Sequence, residues 1–366
     1  MHFYYFLVLL PYFVFAFLGA DGRFNRLGNH IIIFLLIPII LFVSLRYDGI
    51  DYFSYQNLYY STSFEDLSFP LYEYNISSSG KEFIFATTSS LFRIVGFPFE
   101  FFIFFIGAIT LFLKASIIQR NSFFPFLGLF VCFSFTLSKD MGQIRNALSA
   151  AIVFYALLEI HQKNYIKFYG LVILASLIQI FSILALPLYA VVSVRRSEIV
   201  VLFLLCSTYL SVALFSNGPF DIIYEILTLV DPSLATKMLG YTELGRYDAI
   251  SIFGPRSLIY LALGLVALFI LHRRLVVSPL HRTMVLVFLI GLSCNALFSN
   301  IAIFSVRASD LLVMLPLVFV IDVILKFFVE YNKVAFFALY YCLLLYSTLN
   351  LWYNFSSLPL YQNIIF

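Results

Sequence analysis

The chain has 366 residues, of which 62% are hydrophobic and only 11% charged, with a mean hydropathy of +0.99. Soluble domains carry about 25% charged residues, so this chain has too little polar surface to cover a soluble core of its size. Its net charge of +3 is too small to suggest nucleic acid. The four cysteines, Cys132, Cys206, Cys294 and Cys342, stand far apart inside apolar runs. They have no metal-ligand spacing, and no disulfide is expected of them.

The expected class is an all-α polytopic integral membrane protein, a single helical domain over 1–366. A spanning helix needs roughly 20 mostly apolar residues. In chain order, runs of that kind fall near 3–19, 31–45, 98–118, 122–138, 142–160, 199–216, 257–271, 283–298, 309–325 and 334–350. The first lacks a basic leading region and a small-residue cleavage site, so it reads as a retained helix and not a secretion signal. Two further segments are irregular. The stretch 83–97 is short and holds Arg93, and 168–194 is too long for one span and short for two, with Pro187 inside it. About ten to twelve helical passages are expected, some broken or re-entrant.

Lys and Arg set the orientation, because cytoplasmic loops are enriched in them. The short loops near 21–30, 114–121, 161–167, 195–198, 272–282 and 326–333 hold most of the basic residues, among them Arg23, Arg26, Arg195, Arg196, Arg273 and Arg274. Placing these loops inside makes 168–194 enter and leave on one side as a hairpin turning near Gln179. It makes 83–97 re-entrant or surface-lying, and puts both termini outside. Two long outer loops result, about 46–82 and 217–256. Asp322 is left within a span.

Ionisable groups at the membrane are costly unless paired or used, so they mark candidate sites. The second span ends on R-Y-D-G-I-D-Y-F-S-Y, 46–55. Asp48 and Asp51 beside Arg46 suit a general base for a sugar hydroxyl, with Tyr55 and neighbouring tyrosines as platforms for sugar faces; the same residues suit an ion pair in an aromatic interface belt. Glu82, after Lys81, opens the 83–97 stretch as a base or a partner for an arginine, or as a plain interface charge. Arg145 lies about one turn into an apolar helix among Gly142, Asn146, Ala147, Ser149 and Ala150, small residues that admit a close neighbour. There it meets an anion or snorkels to the surface. Arg307 sits at the outer end of 309–325, where Asp310 three residues on is placed to neutralise it. In the second loop, Tyr241 precedes Arg246, whose R-Y-D string repeats that of Arg46. The five histidines are scattered, no metal site is indicated, and no nucleotide-binding motif occurs, so no cofactor is expected.

The series R-x-D-G-x-D-x-x-x-Y, then K-E-F opening a helix, then I-R-N-A-L-S-A-A, then I-x-x-x-x-V-R before a late span resembles the EpsG-like branch of the Wzy-type bacterial polysaccharide polymerases. The resemblance covers about 40 to 325 and includes 164–190, where the family commonly has a histidine in place of Gln179. It implies a glycosyltransferase-type polymerase of O-antigen or a related polysaccharide, working at the periplasmic face of the inner membrane. Its substrate would be an oligosaccharide unit linked to undecaprenyl pyrophosphate, and a separate co-polymerase would set chain length. By this resemblance Arg145 and Arg307 hold pyrophosphate, and Asp48, Asp51 or Glu82 supplies the base. Arg46, Tyr55, Gln179, Tyr241 and Arg246 contact substrate. A lipid-linked oligosaccharide flippase or transporter and an O-antigen ligase are the alternatives; charges at outer helix ends and long outer loops favour the polymerase.

Overall fold

A computed structural model of the protein describes residues 3–21, 28–45, 51–61, 83–214, 251–273, 275 and 278–356, with isolated positions between 224 and 236. All regular structure among the described residues is helical. The helices are α1 (Phe3–Leu18), α2 (Gly28–Ser44), α3 (Tyr52–Ser61), α4 (Phe83–Ile94), α5 (Phe99–Asn121), α6 (Pro125–Gly142), α7 (Ile144–His161) and α8 (Tyr165–Ile178). After a 3-10 turn at Ile180–Ala185 come α9 (Leu188–Ser193), α10 (Ser197–Leu214), α11 (Pro255–His272), α12 (Pro279–Leu297), α13 (Ala302–Leu312), α14 (Leu317–Tyr331) and α15 (Lys333–Ser356). Among the described residues, α5, α7, α10, α11, α12 and α15 are each long and apolar enough to cross a membrane. The pair α13 and α14 meets the same test as one broken span, and α1, α2, α8 and 180–193 give shorter apolar stretches.

The segment expected to turn near Gln179 does so. Gln179 is extended (φ −147°, ψ 109°) and its N–H closes α8 on Ala175 O. The chain then folds back until Tyr189 of α9 packs on Tyr165, Phe168 and Tyr169 at the start of α8. Both ends of this hairpin therefore lie together.

One expected span is in fact two helices. The run 309–325 is mostly apolar, but α13 ends at Leu312 and α14 begins after Pro316, bent by 51°. Pro316 cannot donate a helical hydrogen bond, which favours the break there. The break also presses on α12: a Cβ on Gly291 would come within 2.8 Å of the Leu312 backbone oxygen.

Charges in the bundle interior are held by named partners. Asp322 of α14 accepts the Phe123 N–H at 3.0 Å and lies 3.5 Å from His281 Nε2. His281 stacks on Phe123, and Ser278 caps α12 by accepting from the His281 N–H. One carboxylate thus ties the α5–α6 turn to α12 and α14. Lys114, expected in the 114–121 loop, is instead buried, because α5 runs on to Asn121. It pairs with Asp140 of α6, and Thr136 bridges the two. Burial of both charges is tolerable only with such pairing.

These contacts separate two ends of the bundle. At one, Phe123, His281, Phe336 and the Glu198–Arg282 pair gather helix ends rich in Lys and Arg. The candidate site residues that can be placed lie at the other.

Candidate active site

The site is built around the start of α7. Gln143 (φ −117°, ψ 61°) breaks the helix between α6 and α7, so α7 opens abruptly with Arg145 and Asn146 in its first turn and no side-chain cap. Arg145 is therefore at the helix start, not a turn inside it. Its guanidinium carbon lies 5.4 Å from the Tyr55 ring centre and 5.6 Å from that of Phe85. A cation over two ring faces is attracted by their quadrupoles.

Tyr55 reaches that place because α3 is a short amphipathic helix inside the expected outer loop. Tyr52, Tyr55 and Tyr59, three or four residues apart, form its buried face and pack on Phe85, Phe99 and Phe102. The Tyr59 hydroxyl donates to Phe97 O at 2.7 Å. Of these tyrosines Tyr55 faces Arg145, and Tyr52 and Tyr59 are packed into the bundle and so present no face to a sugar, while Tyr60 is exposed. Asp51 sits at the N-terminal edge of α3, its carbonyl accepting the Tyr55 N–H. Two of the expected site residues, Tyr55 and Arg145, thus come together, and Asp51 lies one turn before Tyr55.

The second arginine is reached through Asn146. Asp310 of α13 accepts from Lys139 Nζ at 2.9 Å and 2.8 Å and from Asn146 Nδ2 at 3.1 Å. The expected local pair between Arg307 and Asp310 does not form, because Asp310 is taken by Lys139, 171 positions away. Arg307 is half-buried in mid-α13 and has no ion pair among the described residues. The hairpin tip approaches the same helix: Phe181 packs on Phe298 and on Phe304, one turn before Arg307. Gln179, buried two positions earlier, lies at that tip. Arg46, Asp48, Glu82, Tyr241 and Arg246 lie outside the described residues.

Sequence reasoning missed the other half of the site. A cavity of about 190 Å³ is lined by Lys139, Asp310, Arg256, Tyr260, Asn295 and Ser309, with apolar residues between them. Arg256 is the second residue of α11, after the cap Gly254 and Pro255. Glycine and proline ahead of an apolar run are a helix-start signal, and a cation in that first turn was the available clue. Among the described residues, no group of His, Cys, Asp and Glu is arranged to hold a metal ion.

A bundle of apolar helices long enough to cross a membrane, with one broken pair, defines a polytopic membrane protein. Comparison with known families makes this specific. Residues 29–365 match the model of the EpsG family, and the chain belongs to that family, which points to membrane polymerase chemistry on glycans. No curated protein and no solved structure is significantly similar to it.

Proposed function

We propose that the protein polymerises O-antigen or a related surface polysaccharide, joining oligosaccharide units carried on undecaprenyl pyrophosphate at the periplasmic face of the inner membrane. The observation that carries this reading is the Asn146–Asp310 hydrogen bond. It couples the helix of Arg145 to the helix of Arg307 and leaves Arg307 without a carboxylate among the described residues. The basic end would be cytoplasmic by the distribution of Lys and Arg, which puts the arginines outside.

In the reaction, an acceptor hydroxyl oxygen forms a bond to the donor's anomeric carbon. The bond from that carbon to the donor's pyrophosphate oxygen breaks, and the electron pair leaves with the lipid pyrophosphate. Arg145 and Arg307 hold that group and stabilise its growing charge, the role fixed cations fill best in a site that excludes water. Asp48, Asp51 or Glu82 takes the hydroxyl proton; Asp51 lies one helical turn before Tyr55, whose ring faces Arg145. The donor is already activated, so no nucleotide is consumed.

The test is the lipopolysaccharide banding pattern of a strain lacking the gene. Core carrying a single repeat, with the ladder gone, is the expected result. Core with no repeat would assign the chain to flipping or ligation, and an unchanged ladder would remove the O-antigen reading.

A further inference from the structure

The cavity beside α11 has a cation of its own. Its volume of about 190 Å³ falls below the roughly 300 Å³ at which pockets for drug-sized ligands begin. Such a space takes a compact head group and not a whole oligosaccharide. Lys139 and Asp310 line it and neutralise one another. Arg256 lines it too and pairs with no carboxylate among the described residues. Its Nε donates to Tyr260 Oη at 3.2 Å, and its guanidinium carbon lies 5.9 Å from the Phe135 ring centre and 5.7 Å from that of Tyr260. A guanidinium fixed through Nε keeps its two terminal nitrogens for a forked contact with one phosphate. The N-terminus of α11, uncapped by any side chain, adds field of the same sign. Next to the lining residues Tyr209 and Ser257, the apolar side chains Leu210 and Leu258 are exposed, a surface on which a hydrocarbon chain can lie.

We infer that this cavity is a second lipid-phosphate site, in which Arg256 grips the pyrophosphate head of the acceptor's carrier. The inference rests on the polymerase reading, because that reaction brings two lipid pyrophosphates together. The donor's pyrophosphate departs and needs charge stabilisation, whereas the acceptor's survives and needs only anchoring. The structure has a cation for each. Arg145 faces Tyr55 and Phe85, and Arg256 faces the cavity. Between them runs the Lys139–Asp310–Asn146 network, whose Asp310 lines the cavity and whose Asn146 follows Arg145 in sequence.

The experiment is a count of undecaprenyl pyrophosphate molecules bound to the full-length protein, by native mass spectrometry from detergent. The native chain is expected to bind two. Arg256→Ala should bind one, its second equivalent weakened about tenfold or more, as loss of charge-assisted hydrogen bonds implies. Arg145→Ala should keep the equivalent that Arg256 holds. Tyr260→Phe keeps the buried ring and removes only the hydroxyl that aims Arg256; it should weaken the second equivalent less, and it covers the case in which Arg256→Ala does not fold. Two full equivalents in both Arg256→Ala and Tyr260→Phe would overturn the site. Inorganic pyrophosphate alone, measured in parallel, separates the sources: if it fills the Arg256 site and the lipid does not, the lipid assignment fails. The count needs no polymerisation. An intact ladder in the deletion strain would sink the polymerase reading and leave the count standing, whereas a lost ladder with a single equivalent would sink only the second site.

Discussion

At the basic end of the bundle several charges have a counter-charge or a main-chain partner, while the buried Glu159 keeps one carboxylate oxygen without a hydrogen-bond partner. Asp322 rests on the Phe123 N–H and faces His281, while Arg282 grips Glu198 and Ser197. At the opposite end, Arg145 lies against two aromatic rings, and Arg256 and Arg307 pair with no described carboxylate. Neutralised charges tie helices together, whereas Arg256 and Arg307, with no carboxylate among the described residues, are cations an anionic ligand can meet.

The comparison is broken most severely by removing the arginines of that opposite end. Arg145→Ala and Arg307→Ala should each lower polymer formation at least about a hundredfold, the usual cost of losing a group that stabilises transition-state charge. Protein level and membrane insertion should be unchanged, read by immunoblot of the membrane fraction. The next largest effect falls on the interior pair. Lys114→Ala strands the Asp140 carboxylate in the bundle and should cost about 3–5 kcal/mol of stability, measured as loss of folded protein on heating in detergent. Lys114→Met combined with Asp140→Leu should recover most of that loss.

A smaller effect tests the divide between the two cation sites. Lys139→Ala leaves Asp310 negative beside the cavity and should weaken binding of anionic lipid several-fold, as an unbalanced like charge near the ligand implies. Adding Asp310→Asn should restore it in part. The smallest effect belongs to the basic end. Arg282 and Glu198 keep side-chain exposures of 36% and 27%, so Arg282→Ala should cost no more than about 1 kcal/mol and leave the polymer ladder intact.

Much of the fold was legible in the sequence because hydropathy reports burial in lipid directly. The long apolar runs and the irregular 168–194 segment follow from it, and the turn at Gln179 follows from the distribution of Lys and Arg. The break between α13 and α14 does not, since the residues around Pro316 are as apolar as the helices they separate. The tyrosine face of α3 was half legible. The spacing of Tyr52, Tyr55 and Tyr59 is that of an amphipathic helix, but their density in a polar loop suggested ligand contact instead. Pairings were the least legible. Asp310 stands three residues from Arg307, yet it bonds to Lys139 and Asn146 on two other helices. Nothing local in the sequence reports which distant helix comes alongside.

The measurement that tests the central claim most directly sets the two ends against each other in one gel. A deletion strain is complemented with Arg307→Ala or with Arg282→Ala at matched protein levels, and its lipopolysaccharide is resolved. The expected result is core with a single repeat for Arg307→Ala and a full ladder for Arg282→Ala. A full ladder from both, or equal loss from both, would contradict the division of labour between the two ends.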